Sequence, residues 1–264
     1  MVGVTELPVV RTGDCACQHS LVAVAHTTNA RDLPRRVADR KNFRRVLARL
    51  WPSEGLVGQD GPYPTPTDEE IAMELDLVDL HDRCGQRFAT LVAGVGAKQW
   101  HDKTPCSEWD VRALVHHLVY EQVWVPPLFE GQTPSEVGDR FEGDLMGDDA
   151  SRWPDVVSSS IQKAHAVVAQ PGSLEQTVHL SFGDTSGPEY VTQLTADFAI
   201  HSWDLARATG QDDTIDPDAV ALLFPWVKAN AELLAGSGIF GSPVDPGPDR
   251  PDEVRLLGLV GRRA

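Results

Sequence analysis

The chain has 264 residues, and its 39 Asp and Glu against 23 Lys and Arg give a formal net charge of −16 at pH 7. So acidic a composition disfavours binding to nucleic acid or anionic membranes, and no apolar run approaches the roughly 18 residues that span a bilayer. The start lacks the basic and apolar segments of a signal peptide, and four scattered cysteines make no disulfide scaffold, which favours a cytoplasmic protein.

Residues 1–67 differ in charge from the rest of the chain. They hold nine Lys and Arg against six Asp and Glu, a net charge of +3, whereas residues 68–264 hold 14 against 33, a net charge of −19. Residues 31–50 are basic with a ragged apolar stripe, and residues 55–66 are rich in Gly and Pro, as linkers are. We predict a flexible N-terminal extension, 1–67, before a folded domain, 68–264. The alternative is an arm that docks a partner or binds nucleic acid.

The domain shows helical periodicity along most of its length. A capping box at Ser107 and Asp110 starts the second helix, and Pro126 with Pro127 is expected to end it. Gly210 follows the most regular helix, as a C′ glycine does. The pattern predicts helices over about 68–96, 107–125, 153–169, 189–209 and 217–234, a short strand over 177–183 and a last apolar run over 254–260.

Two of these helices place a histidine four residues from a carboxylate. The second holds His117 and Glu121 and the fourth holds Asp197 and His201, so both side chains of each pair share one helix face. Helical phase turns His117 and Glu121 toward the buried face and His116 away from it. Helical bundles build metal sites from such inward-facing pairs on two helices. The pattern therefore favours a divalent metal site, with a buried His–Asp pair that holds no metal as the alternative.

Three other features were weighed for chemistry. Glu175 and His179 share the four-residue spacing but lie in the predicted strand, where four residues span roughly 13 Å, so they cannot share a metal. Cys106, beside the helix start, is either a reactive thiol or a small buried side chain, and the second interpretation is favoured. Trp203 and Asp204 follow the fourth-helix histidine, and Asp204 either hydrogen-bonds to that imidazole or lies on the surface.

Two segments resemble the signatures of a known family. Residues 104–118, TPCSEWDVRALVHHL, resemble the TPCxxWxVxxLxxH signature of an actinobacterial metal-binding family. Residues 197–210, DFAIHSWDLARATG, resemble its second signature, D/E-xxx-HxWDLAxAxG. The family belongs to the DinB-like superfamily, as does the N-terminal domain of mycothiol-dependent maleylpyruvate isomerase. The resemblance covers residues 68–264 and does not cover the first 67.

The resemblance implies a fold and a site. The fold would be all-α, a DinB-like four-helix bundle with an additional C-terminal helix and a short β-like segment. The metal would be zinc, with nickel or iron as alternatives, and water or a thiolate would complete its shell. The protein ligands would be His117, Asp197 and His201. The residues that lie behind these ligands or face the substrate would be Glu121, Trp203 and Asp204.

The resemblance also implies a function. Many members of the superfamily are transferases or isomerases that use a low-molecular-weight thiol such as mycothiol or bacillithiol. We expect a metal- and thiol-dependent S-transferase or isomerase that acts on a small electrophilic molecule. The chain shows no second domain of the kind that the isomerase carries, which makes isomerisation the less favoured of the two. The alternative is a non-enzymatic metal-binding or stress-response module, and the oligomeric state stays open, a homodimer included.

Overall fold

The structure is a computed structural model, and it describes residues 68–106, 109–232, 234 and 241–264, the side chains of 68–76 excepted. The predicted extension, residues 1–67, and the predicted capping role of Ser107 lie outside the described residues. The division of the chain after residue 67 therefore stays a prediction.

The described residues form seven α-helices and one β-hairpin, which confirms the predicted all-α fold with a short β segment. The helices are α1 (Asp68–Ala93), α2 (Val111–Phe129), α3 (Pro134–Val137), α4 (Trp153–Val168), α5 (Gly187–Thr209), α6 (Pro217–Ala229) and α7 (Asp252–Leu259). The hairpin pairs β1 (Thr177–Leu180) with β2 (Gly183–Ser186), antiparallel. No described helix combines the length and the apolar character that a membrane span needs.

Helices α1, α2, α4 and α5 form a four-helix bundle. They pack around a ring, α1 on α5, α5 on α2, α2 on α4 and α4 on α1. The Gln211 side chain donates to the carbonyl oxygen of Leu91 (2.9 Å), which brings the C-terminal ends of α5 and α1 together. Near the end of α1, Trp100 packs edge-on against Trp153, the first residue of α4, with 4.7 Å between ring centroids. The guanidinium of Arg112, at the start of α2, lies 5.0 Å from the same Trp153 ring. Thus α1 and α5 run in one direction, and α2 and α4 run in the other.

Helix α5 is the central helix of the described fold. Its sequence predicts one apolar stripe, but residues 190–206 are all buried. The cause is tertiary packing, since α1, α2 and α6 all contact α5. A helix that is enclosed on every side also encloses its polar side chains, whichever way they point. Asp197, His201 and Asp204 are buried for this reason.

The predicted limits of α2 are wrong at both ends. The helix begins at Val111, and its N-cap is Asp110, whose side chain accepts a hydrogen bond from the Ala113 N–H (2.8 Å). It continues through Pro126 and Pro127 to Phe129, one turn beyond the predicted end. Each proline removes one helical N–H donor, but most of this last turn is buried, and packing outweighs that local cost.

Two connections outside the bundle bear on the site. Residues 130–152 run the length of the bundle from the end of α2 to the start of α4. His116 holds this crossover, because its Nε2 accepts a hydrogen bond from the Leu145 N–H (3.2 Å). After α6, which ends at Ala229 rather than at the predicted residue 234, the segment from residue 241 lies against α7. There the Val244 N–H donates to the Gly258 carbonyl oxygen (2.8 Å).

Candidate metal centre

Three predicted ligands come together in the seam between α2 and α5. His117 of α2 and Asp197 and His201 of α5 each offer one ligand atom, and these atoms all lie within 4.8 Å of one another. All three side chains are buried. Asp197 and His201 are one turn apart on α5, and α2 runs antiparallel beside them. The four-residue spacing predicted that the two helix pairs converge, and the family resemblance implied these three residues as the ligands.

His201 is held from behind by a buried carboxylate. Its Nδ1 lies 3.0 Å from Oδ2 of Asp204, which leaves Nε2 as the nitrogen that can bind a metal. Asp204 is fully buried, so the alternative that placed it on the surface is wrong. Burial by itself would raise the pKa of Asp204, but the charge of Arg262 and the hydrogen bonds from His201 and Arg262 outweigh it and hold that pKa below its ordinary value.

His117 faces a second buried carboxylate. Its Nδ1 lies 3.7 Å from Oε1 of Glu121, one turn further along α2, and Glu121 is fully buried. The neighbouring Tyr190 is also fully buried, and its hydroxyl has no hydrogen-bond partner among the described residues. Burial, and then the charges of Glu121 and Asp197, raise the pKa of Tyr190 well above its ordinary value. Buried polar side chains of α2 and α5 therefore extend beyond the two histidines.

Trp109 flanks both imidazoles. Its ring centroid lies 4.6 Å from that of His117 and 5.6 Å from that of His201, and the two imidazole centroids are 5.5 Å apart. Trp109 is only partly buried, so it forms the wall between the imidazoles and solvent. Thr104 positions it, because the Thr104 hydroxyl donates to the Trp109 carbonyl oxygen (2.9 Å). The sequence reasoning did not assign Trp109 to the site, although it is the W of the TPCxxW signature.

Arg262 is the other site residue that the sequence did not reveal. Its Nη2 donates to Oδ2 of Asp204 (2.8 Å) and its Nε to Oδ1 (3.2 Å), 58 residues away along the chain. Neither spacing nor helical phase relates such distant residues, and Arg262 lies outside both signatures. The only sequence signal was a basic residue directly after the last apolar run.

The buried charges gather at this site. Among the described residues, the buried carboxyl groups belong to Glu121, Asp197 and Asp204, and the one buried side-chain cation is Arg262. The imidazoles of His117 and His201 are buried with these three carboxyl groups. Buried charge is costly unless it is compensated, so this arrangement suits a divalent cation.

The structure also describes the surroundings of the remaining candidates. Trp203 is buried with the Arg207 guanidinium 5.2 Å from its ring centroid, and its predicted role at the site stays a prediction. Nδ1 of His179 lies 2.7 Å from Oδ1 of Asp184 across the hairpin, so His179 has a partner other than Glu175. Cys106 is buried, as the favoured interpretation expected.

Residues 81–206 match the family model of the mycothiol maleylpyruvate isomerase N-terminal domain. This range includes all three residues of the cluster and ends before Arg262. Two uncharacterized proteins of Mycobacterium tuberculosis, Rv0738 of strain H37Rv and MT0763 of strain CDC 1551, are each 32% identical to the chain over 194 residues. The match takes in 71% of this chain and 98% of each relative. No solved structure matches the chain significantly.

Proposed function

Because the chain belongs to the family of the mycothiol maleylpyruvate isomerase N-terminal domain, we propose that it binds a divalent metal and uses a small thiol of the mycothiol type. The reaction would be S-transfer to, or isomerisation of, a small electrophilic molecule. The observation that carries the proposal is the buried cluster of His117, Asp197 and His201. The thiol is inferred from the family, and the place where it would bind is inferred from the cluster.

The donor set fits a catalytic metal. Two imidazoles and one carboxylate are ligands that zinc takes, and three protein ligands leave a position for an exogenous ligand. The same set is also known for iron, so zinc is our first expectation, with iron and nickel as the alternatives that metal analysis separates. The burial of three carboxyl groups, those of Glu121, Asp197 and Asp204, supports a dication in this seam.

The side chains around the cluster would each support the reaction. A bound metal would lower the pKa of a coordinated thiol, so that it is a thiolate at neutral pH. Asp204 fixes the tautomer and the orientation of His201. Glu121 faces Nδ1 of His117, and Trp109 limits the access of water from one side. The thiolate would add to an activated double bond of the electrophile, and the displaced π electrons would take up a proton on the neighbouring carbon. In isomerisation the thiolate would instead leave again, taking the electron pair of the carbon–sulfur bond, so that the double bond re-forms.

Metal content tests the site. Purified wild-type protein should carry about one divalent ion per chain by inductively coupled plasma mass spectrometry, and His117→Ala or His201→Ala should lose most of it, because each removes one of three ligands. His116→Ala is the matched control, since His116 neighbours His117 but bonds to the crossover. Variants that fold, shown by circular dichroism, and still hold the wild-type amount of metal would contradict the assignment.

Turnover tests the thiol. Metal-loaded protein incubated with mycothiol and a panel of small electrophiles should yield conjugates or isomers detectable by mass spectrometry, and His201→Ala should not. If the wild-type protein binds metal but converts no electrophile, the non-enzymatic metal-binding module becomes the better description.

A further inference from the structure

We propose that Arg262 is a positioning residue for the metal centre, because it fixes Asp204 and Asp204 in turn fixes His201. The inference rests on the proposed metal site and adds a part of the chain that the family match does not reach. It assigns a role to the last residues of the chain.

The contacts form an unbroken series. The guanidinium of Arg262 meets Asp204 side-on, with Nε on one carboxylate oxygen (3.2 Å) and Nη2 on the other (2.8 Å). The oxygen that receives Nη2 also lies 3.0 Å from Nδ1 of His201. Two-point contacts of this kind restrict the rotation of a carboxylate as well as its position. The orientation of the His201 ring therefore depends on a residue of the C-terminal tail, residues 260–264, which follows α7.

Hydrogen bonds to the end of α7 and within the tail fix the position of Arg262. The Arg262 N–H donates to the Leu257 carbonyl oxygen (2.8 Å), and its Nη1 donates to that of Val260 (2.7 Å). Gly261 has a φ of +82°, and a Cβ there would lie 2.8 Å from the backbone of Gly241. Only glycine suits this turn, which directs the next side chain inward.

The direction of the effect follows from burial. Arg262 and Asp204 are both buried, so removal of the guanidinium leaves a carboxylate without its cation inside the protein. That carboxylate would no longer be held by the two-point contact, and its freedom to rotate would loosen His201. Changes to residues that orient a metal ligand typically weaken metal binding by about 10- to 100-fold.

The test measures zinc affinity in the full chain. Zn²⁺ alone is titrated against a chromogenic chelator for wild type, Arg262→Ala, Arg262→Lys and the control Arg263→Ala. Arg263 is the adjacent arginine and is exposed. We expect about 10- to 100-fold weaker binding for Arg262→Ala. We expect a smaller loss for Arg262→Lys, which keeps the charge but not the two-point geometry, and no change for Arg263→Ala.

A double variant separates positioning from a purely structural role. If Arg262 acts through Asp204, then Arg262→Ala should cost little further affinity in an Asp204→Asn background. A loss of the same size in both backgrounds would overturn the inference. So would an Arg262→Ala protein that melts at a lower temperature but binds zinc as the wild type does. If Arg262→Ala does not fold, the Arg262→Lys variant replaces it in the test, and a zinc affinity equal to that of the wild type would overturn the inference. A wild-type protein that binds none of zinc, iron and nickel would instead remove the proposed function.

Discussion

His81 is a buried imidazole outside the metal cluster. It lies on α1 with its ring centroid 5.5 Å from that of Phe198, and neither of its ring nitrogens has a hydrogen-bond partner among the described residues. Burial, and then repulsion from His165 on α4, lower its pKa to about 3. The carboxylate of Asp82, the next residue on α1, lies 3.7 Å from Nδ1 of His165. His81 is therefore neutral in the folded protein at neutral pH.

This imidazole predicts a loss of stability in acid. The pKa of His81 is lowered on folding, from 6.5 to about 3, so the unfolded chain takes up a proton that the folded chain refuses as the pH falls below 6.5. Between pH 7 and pH 5 the wild type should lose about 2 kcal/mol of its free energy of unfolding through this group. His81→Leu should lose correspondingly less over the same interval. Urea unfolding without added metal at the two pH values measures the difference.

The matched control is His101→Leu, because that side chain is 79% exposed. It should retain the acid sensitivity of the wild type. If His81→Leu and the wild type lose the same free energy of unfolding between pH 7 and pH 5, His81 does not remain neutral in the folded protein.

Local spacing was sufficient to find some site residues and could not find others. His117 and Glu121, like Asp197 and His201, are one turn apart on a helix, and helical phase alone separated His117 from His116. Arg262 could not be found in this way, because its contact with Asp204 depends on how the tail returns to α5. The relative positions of residues one helical turn apart can be predicted from their spacing in the sequence. A contact between distant segments depends on the packing of the whole fold and cannot be predicted in this way.

At the scale of elements, the start of α2 determines where His117 lies. The side chain of Asp110 caps the helix through the Ala113 N–H (2.8 Å), and its other oxygen lies 3.0 Å from Nδ1 of His101. Sequence rules placed this start three residues earlier, at Ser107. The hydroxyl of Thr104 donates to the Trp109 carbonyl oxygen and a β-bridge joins Lys103 to Asp110, so Trp109 and Asp110 are held outside the helix.

We expect the loss of a capping side chain to lower the free energy of unfolding more at the start of a long helix than at the start of a short turn. Asp110→Ala should lower the free energy of unfolding by about 1 kcal/mol, because it leaves a donor at the start of a long buried helix without its acceptor. Asp110→Asn should keep most of the stability, since asparagine caps equally well. Urea unfolding at pH 7 measures both.

Asp149→Ala is the control for this cap. Asp149 also accepts a hydrogen bond from a backbone N–H, that of Ser151, but it caps a turn of only three residues, Ala150–Arg152. It should cost clearly less than Asp110→Ala. Equal losses for the two variants would mean that the Asp110 cap does not stabilise α2 specifically.

The other limits of the elements show the same division between local and distant causes. Proline rules predicted that α2 stops before Pro126, yet the turn that holds Pro127, Leu128 and Phe129 is buried and helical. Periodicity found α5 but only one of its buried faces. Local propensity identified these helices, and tertiary contacts determined where α2 ends and how much of α5 is enclosed.

At the scale of the molecule, the bundle and the covering helices that the structure describes lie within residues 68–264. All of the elements that build the candidate site belong to this range. The two mycobacterial relatives match over 98% of their own length while using 71% of this chain. The relatives therefore have about the length of the predicted domain, and the division after residue 67 stays a prediction.

A chain that starts at residue 68 should therefore fold and bind metal as the full chain does. We expect its melting temperature to stay within about 3 °C of the full chain, which corresponds to about 1 kcal/mol for a domain of this size. Its metal content should be unchanged, because every predicted ligand is retained. Thermal unfolding by circular dichroism measures the melting temperature, and metal analysis measures the metal content.

A larger fall in melting temperature would mean that residues 1–67 pack on the domain and that the boundary is wrong. Unchanged stability with a lost partner in cell extracts would favour the docking arm, since the +3 segment would then act through another molecule and not through the fold.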